Sequence, residues 1–395
     1  MDNFTFYAPT YFDFGRNAEE HVGSLIRRFG GRKVLLHYGG GSIKKSGLYD
    51  KVVKCLDDEG ISYGELGGVK PNPRSGLVYE GIEMCRDEGC DFILAVGGGS
   101  TIDSAKAIAA GSCYDGDFWD FYTKKAVIEK ALPVGTILTI AAAGSEGSTN
   151  TVITNETTGV KTGAGSDLLR PKFSILNPEL TCTLPPYQTA AGATDIMIHI
   201  CERYFSNTEE VEITDRLCEA VLKTMIHETP RVIEDPHNYE ARANIMWAGM
   251  LAHNNVCGVG RVQDWASHHI EHELSALYDV THGAGLAVIA PAWMRHVLRI
   301  NPHKLVQFAE RVWDVLPQAE SGSGTDEETA LLGIEKFEAF LKSIGMPLSF
   351  AEIGADAKDI DRLTEKLLAG KETEGNYVKL KAEDVKCIYR SVCED

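Results

Sequence analysis

Apolar residues in the first half of the chain come in short unbroken runs. Val34-Leu35-Leu36, Phe92-Ile93-Leu94-Ala95-Val96 and the stretch 134–140 are the clearest. Runs this short, without polar alternation, predict strands buried on both faces. A further strand is predicted over 62–66. Helical spacing occupies 47–59, 75–88 and 101–110. The first run, within Lys33–Tyr38, leads through His37-Tyr38 into Gly39-Gly40-Gly41-Ser42, and the second passes directly into Gly97-Gly98-Gly99-Ser100, about sixty residues apart. Strand, glycine loop and helix therefore occur twice, which predicts a parallel sheet with helices on both faces. The aromatic-rich stretch 4–14 predicts a hairpin or an edge strand. Residues 152–175 read as irregular structure with a hairpin.

Past Pro185-Pro186 the period changes from strand to helix. Helices are predicted over 190–204, 210–227, 238–253, 263–276, 286–297, 303–313 and 327–344, with Ser321–Gly324 as a surface loop. The expected architecture is two domains. Residues 1–185 form an α/β dinucleotide-binding domain with a Rossmann-like parallel sheet. Residues 186–395 form an all-α domain that carries the metal and the catalysis.

Composition removes several classes of function. A formal net charge of −18 argues against nucleic acid and anionic membrane as partners. No apolar run approaches the roughly 18 residues that span a bilayer. The start Met1-Asp2-Asn3-Phe4 lacks the basic and apolar regions of a signal peptide. The ten cysteines are scattered, with no C-x-x-C pair, and are expected as reduced thiols in a cytoplasmic protein.

Both glycine loops sit where a strand ends and a helix begins. Glycine lets the backbone approach a phosphate closely, and a helix N-terminus offers free N–H groups. Ligands of open α/β sheets lie at such strand ends. Neither loop is a G-x-G-x-x-G fingerprint. Lys44 and Lys45 follow Ser42 and suit a 2′-phosphate, or are simply solvated.

Asp195 and His199 are spaced i, i+4 with Ile196, Met197 and Ile198 between them, so they share a face of a buried helix. A metal would satisfy both; so would a plain Asp–His hydrogen bond. His268, His269, His272 and His282 cluster further on. His268 and His272 share a helical face, whereas His269 points elsewhere. Spacing alone leaves open which histidines bind a metal. Imidazoles with a carboxylate suit Fe²⁺ or Zn²⁺.

On these residues the chain resembles the iron-containing (group III) alcohol dehydrogenases, in particular their butanol dehydrogenase branch, whose architecture is dehydroquinate synthase-like. The resemblance is carried by residues 38–45, 67–74 and 95–106, by Asp195 with His199, and by the 268–282 segment. It implies a metal site of Asp195, His199, His268 and His282. It places His272 near the reacting carbon, not on the metal. It matches Gly39, Gly40, Gly41, Ser42, Asn72, Gly97, Gly98, Gly99, Ser100, Asp103, Thr139 and Lys161 to positions that contact NADP or NAD. Ser42 and Lys161 tilt that choice toward NADP. The family often has threonine and asparagine where this chain has Ala143 and Ser148, which touches the nicotinamide side.

The expected reaction is reversible hydride transfer between NAD(P)H and a small aldehyde such as butanal, in a cleft between the domains, with His272 as a proton relay or an orienting group. A dehydroquinate synthase-type lyase is the nearest rival. It requires several basic residues near the metal, where only Arg203 and Arg261 are candidates. A metallohydrolase or a regulatory nucleotide-binding protein explains fewer of the motifs. A homodimer is expected, paired through the aromatic N-terminal strand.

Overall fold

A computed structural model describes residues 1–316 and 325–393; the expected loop Ser321–Gly324 lies outside these residues. The described residues contain eight strands: β1 (Tyr11–Phe14), β2 (Lys33–Tyr38), β3 (Ser62–Leu66), β4 (Phe92–Gly97), β5 (Val134–Leu138), β6 (Asn150–Asn155), β7 (Val160–Gly165) and β8 (Phe173–Leu176). The chain divides into two compact units, Tyr7–Leu184 and Pro185–Asp395, the second joined by Met1–Phe6.

Six strands of the first unit form one sheet in the order β1-β8-β5-β4-β2-β3, and every pairing is parallel. All of β4, β5 and β8 is buried, as the unbroken apolar runs require. The chain leaves β2 toward β3 on one side and returns as β4 on the other. This is a topological switch point, where the crevice at the strand ends receives ligands. Register pairs Tyr38 with Val96, so the glycine loops that follow β2 and β4 start side by side.

The edge strand expected in 4–14 is β1, but it begins only at Tyr11, and residues 4–10 form neither strand nor hairpin. The hairpin expected in 152–175 is β6 with β7. That stretch also hides β8, which lies just inside the edge strand β1 and is too short for a pattern to announce it.

The second unit is helical. Its main helices are Pro186–Tyr204, Glu212–Glu234, Tyr239–His253, Ala266–Tyr278, His282–Leu298, His303–Trp313 and Asp326–Ser343. Three further short helices, Phe350–Ile353, Ile360–Leu367 and Ala382–Arg390, were not expected from periodicity. Pro186–Tyr204 is the central helix, buried at every residue from Thr189 to Tyr204. It packs against Glu212–Glu234, Tyr239–His253 and His282–Leu298. A helix with no solvent face must find partners for its polar side chains, and this one carries Asp195, His199, Glu202 and Arg203.

The helix expected from residue 286 starts one turn earlier, at His282. Gly283 and Gly285 suggest a loop in the sequence, but they serve a helix crossing. A Cβ on Gly283 would stand 1.9 Å from the carbonyl oxygen of Ala191 in the central helix. Only glycine permits that approach, and it brings His282 against the face of Asp195.

Candidate functional site

Asp195 Oδ1 is the focus of the helical unit. His199 Nδ1 lies 3.5 Å from it, His268 Nε2 3.7 Å and His282 Nε2 3.8 Å. Donors held about 2.1 Å from one ion at tetrahedral angles stand about 3.4 Å apart. The observed separations fall just outside that value. Asp195 Oδ1, His199 Nδ1 and His268 Nε2 are all buried and make no hydrogen bond. Leaving three such atoms unmatched costs about 1–3 kcal/mol each, and one cation satisfies them together. The donor set, three imidazoles and a carboxylate, therefore fits a divalent metal.

The electrostatics point the same way. His199 is held well below the ordinary histidine range by burial and by the neighbouring rings of His253 and His268, so it stays neutral. His268 is opposed by burial, yet its contacts with Asp195 and Glu202 lift it to about 9. Without metal, a proton sits where the cation would bind. The side chains of Asp195, His199 and His268 are closed off from solvent, whereas that of His282 is 25% exposed. The cluster opens on the His282 side.

His272 lies on that side, half-buried, with its ring 5.5 Å from that of His282 and 6.4 Å from that of His268. It stands outside the Asp195 cluster. His269 points away, and its Nδ1 bonds to Glu374 Oε1 at 2.7 Å. Two carboxylates were not anticipated. Glu202 accepts the Nδ1–H of His268 at 2.9 Å, and Glu271 bonds Nδ1 of His282. The spacing Asp195, His199, Glu202 on one helical face was the signal available for the first.

In the sheet unit the two loops differ in what their glycines do. A Cβ on Gly97 would meet Thr101 Oγ1 at 2.4 Å, so strand and helix can close there only around glycine. Gly40 and Gly41 face open space. Gly98 caps the helix Gly99–Ser112, whose first turn holds Ser100, with Asp103 at the start of the second. Thr139 N donates to Gly97 O at 3.0 Å, which ties the end of β5 to the loop after β4. Asp103 turns its carboxylate into the fold, accepting from Ser145 Oγ at 2.5 Å and Val152 N at 2.9 Å. Lys106 is fully buried and donates to Ser145 O, Ser148 O and Asn150 O, which fixes the turn after β5. Lys161 is buried on β7, with Nζ 3.0 Å from Asn72 Oδ1. Lys44 lies 3.6 Å from Glu65 and over the rings of Tyr38 and Tyr49.

Known proteins match along the whole chain. The family model for iron-containing alcohol dehydrogenase covers residues 9–178, and that for the C-terminal part of the Fe-containing alcohol dehydrogenase family covers 189–393. The probable NADH-dependent butanol dehydrogenase 1 of Bacillus subtilis is 46% identical over 99% of this chain and 100% of its own length. The NADPH-dependent aldehyde reductase YqhD of Escherichia coli is 37% identical over 93% of each chain. The crystal structure of NADH-dependent butanol dehydrogenase A from Thermotoga maritima has a TM-score of 0.95 at 44% identity, covering 100% of this chain and 99% of that one.

Proposed function

The chain belongs to the iron-containing alcohol dehydrogenase family, and we propose that its substrates are small aliphatic aldehydes and alcohols of the butanal and butanol kind. It is a nicotinamide-linked alcohol dehydrogenase/aldehyde reductase that uses a metal. We place one divalent ion, Fe²⁺ or Zn²⁺, on Asp195, His199, His268 and His282. The single observation that carries this reading is the convergence of buried, unbonded ligand atoms on Asp195 Oδ1.

When bound, the metal supplies Lewis acidity toward a carbonyl oxygen and the nicotinamide supplies the hydride. The protein's part is to position and to exclude water. The buried side chains of Asp195, His199 and His268 close three sides, so substrate enters beside His282. His272, half-buried at that opening, holds the proton that completes the alcohol. Gly39, Gly40, Gly41, Ser42, Gly97, Gly98, Gly99 and Ser100 take the dinucleotide phosphates, with Asn72, Asp103, Thr139 and Lys161 around them.

NADH is the cofactor favoured here, although Ser42 and Lys161 point toward NADP in the sequence. Lys161 bonds Asn72 and Lys44 is drawn to Glu65, so a 2′-phosphate would have to share both ammoniums with partners already in place. Relatives at 41–46% identity are named NADH-dependent.

The lyase reading draws less support. Arg203 is buried against His199 O and His253, and Arg261 is buried against Asp215, so neither guanidinium is presented to a phosphorylated substrate. A homodimer through the outer edge of β1 and a cytoplasmic location, with all ten cysteines free, complete the proposal. Among the described residues no helix is long and apolar enough to cross a membrane.

The test is oxidation of NADH and of NADPH by the Fe²⁺- and Zn²⁺-reconstituted protein with butanal. Turnover with butanal, faster with NADH, is expected. No oxidation with any pairing of metal and cofactor contradicts the proposal.

A further inference from the structure

Glu202 lies one helical turn beyond His199 and two beyond Asp195, on the same face of the buried helix Pro186–Tyr204. Its carboxylate leaves that helix and ends at the start of another, Ala266–Tyr278. There Oε2 accepts the N–H of Trp265 at 2.8 Å. Oε1 accepts from Ser267 Oγ at 2.6 Å, from His268 N at 2.9 Å and from His268 Nδ1 at 2.9 Å. One side chain thus satisfies two backbone N–H groups at the helix start, where none has an intrahelical partner. It also binds the ring of the first ligand on that helix.

The consequences follow from donor and acceptor chemistry. A carboxylate only accepts, so its partner Nδ1 must carry the hydrogen, and in the neutral ring that binds a metal the lone pair of His268 lies on Nε2. Nε2 is the atom 3.7 Å from Asp195 Oδ1. Glu202 therefore selects the tautomer and aims it. Trp265, the residue before the helix, stands at φ 72°, a left-handed conformation costly for an aromatic residue. Its N–H bond to Glu202 helps hold the chain in that turn. The face Asp195–His199–Glu202 accordingly sets three of the four proposed ligands: two directly and the third through its far nitrogen.

We propose that Glu202 is a positioning residue of the metal centre. It locks the helix bearing His268 to the helix bearing Asp195 and His199, and it fixes His268 as an Nε2 ligand. This inference rests on the ligand set proposed above. Outer partners of ligating histidines typically contribute 10–100-fold to metal affinity.

The test uses the full-length protein, stripped of metal and titrated with Co²⁺, reading both the visible ligand-field spectrum and the dissociation constant. Glu202→Ala is expected to weaken Co²⁺ binding 10–100-fold and to alter the spectrum, with helical circular dichroism unchanged. Glu202→Gln keeps one acceptor oxygen and is expected to recover part of the affinity; it carries the test if the alanine variant does not fold. Wild-type affinity and spectrum in the variants overturn the proposal. So does a loss of Co²⁺ that follows a loss of helix in proportion, since Glu202 is then a helix cap alone. Failure of the wild-type protein to bind Co²⁺ sinks the metal reading itself, a separate outcome.

Discussion

Replacing Gly283 by alanine tests how the two ligand-bearing helices meet. The added Cβ would lie 1.9 Å from Ala191 O, 2.6 Å from its carbonyl carbon and 3.0 Å from its Cα. All three atoms are backbone, so no rotamer change relieves the clash. Restoring ordinary contact requires the helix His282–Leu298 to retreat by about 1.5 Å, because close-packed interiors have no slack to absorb it. Overpacking of this kind costs about 1–3 kcal/mol. His282 is the adjacent residue and moves with the helix, whereas ligand placement tolerates only about 0.5 Å. Gly283→Ala is therefore expected to lower the melting temperature and to weaken Zn²⁺ binding at least tenfold, measured by thermal denaturation and by calorimetric titration of the stripped protein. Gly40→Ala, whose Cβ meets nothing within 4 Å, is the control and leaves both unchanged. A Gly283→Ala protein that melts early but binds Zn²⁺ as tightly as before would refute the reasoning, because the crossing would then not set the ligand position.

Three further outcomes follow from other parts of the molecule. His37, buried between Leu66 O and Ser104 Oγ, is pushed down by burial to about 4, against the Leu66 hydrogen bond, from an ordinary 6.5. The unfolded chain therefore takes up this proton first as pH falls through 6.5, and stability drops by about 3 kcal/mol by pH 4; urea midpoints across that window should decline less in His37→Gln. His272→Ala is expected to lower turnover and to remove one limb of the pH–rate profile while metal content stays intact; wild-type turnover with an unchanged profile removes the relay. A chain beginning at Gly15 loses β1 and is expected to be monomeric by light scattering, whereas an unchanged dimer rules out pairing through that edge.

The central strands were legible because a strand buried on both faces must be apolar throughout, and β4 is buried along its whole length. Glycines after β2 and β4 then marked the strand ends that the sheet places together. Asp195 and His199 were legible as a pair because a helix fixes their separation. The choice among His268, His269, His272 and His282 was not legible from spacing, because it depends on where two other helices cross. His282 was hidden further by Gly283 and Gly285, which look like helix breakers unless the close approach to Ala191 is known. Glu202 escaped notice because its partners lie more than sixty positions away. β8 gave no signal because its 4 residues draw their stability from β1 and β5 on either side.

The central claim is that Asp195 gathers three histidines around one metal ion. Its most direct test is metal stoichiometry, by mass spectrometry of the native protein and elemental analysis, in wild type and in Asp195→Ala. Asp195 Oδ1 is the atom from which His199, His268 and His282 are each 3.5–3.8 Å distant. The account predicts one Fe²⁺ or Zn²⁺ per wild-type chain and none in a folded Asp195→Ala protein. A folded Asp195→Ala chain that keeps its full complement of metal would contradict it.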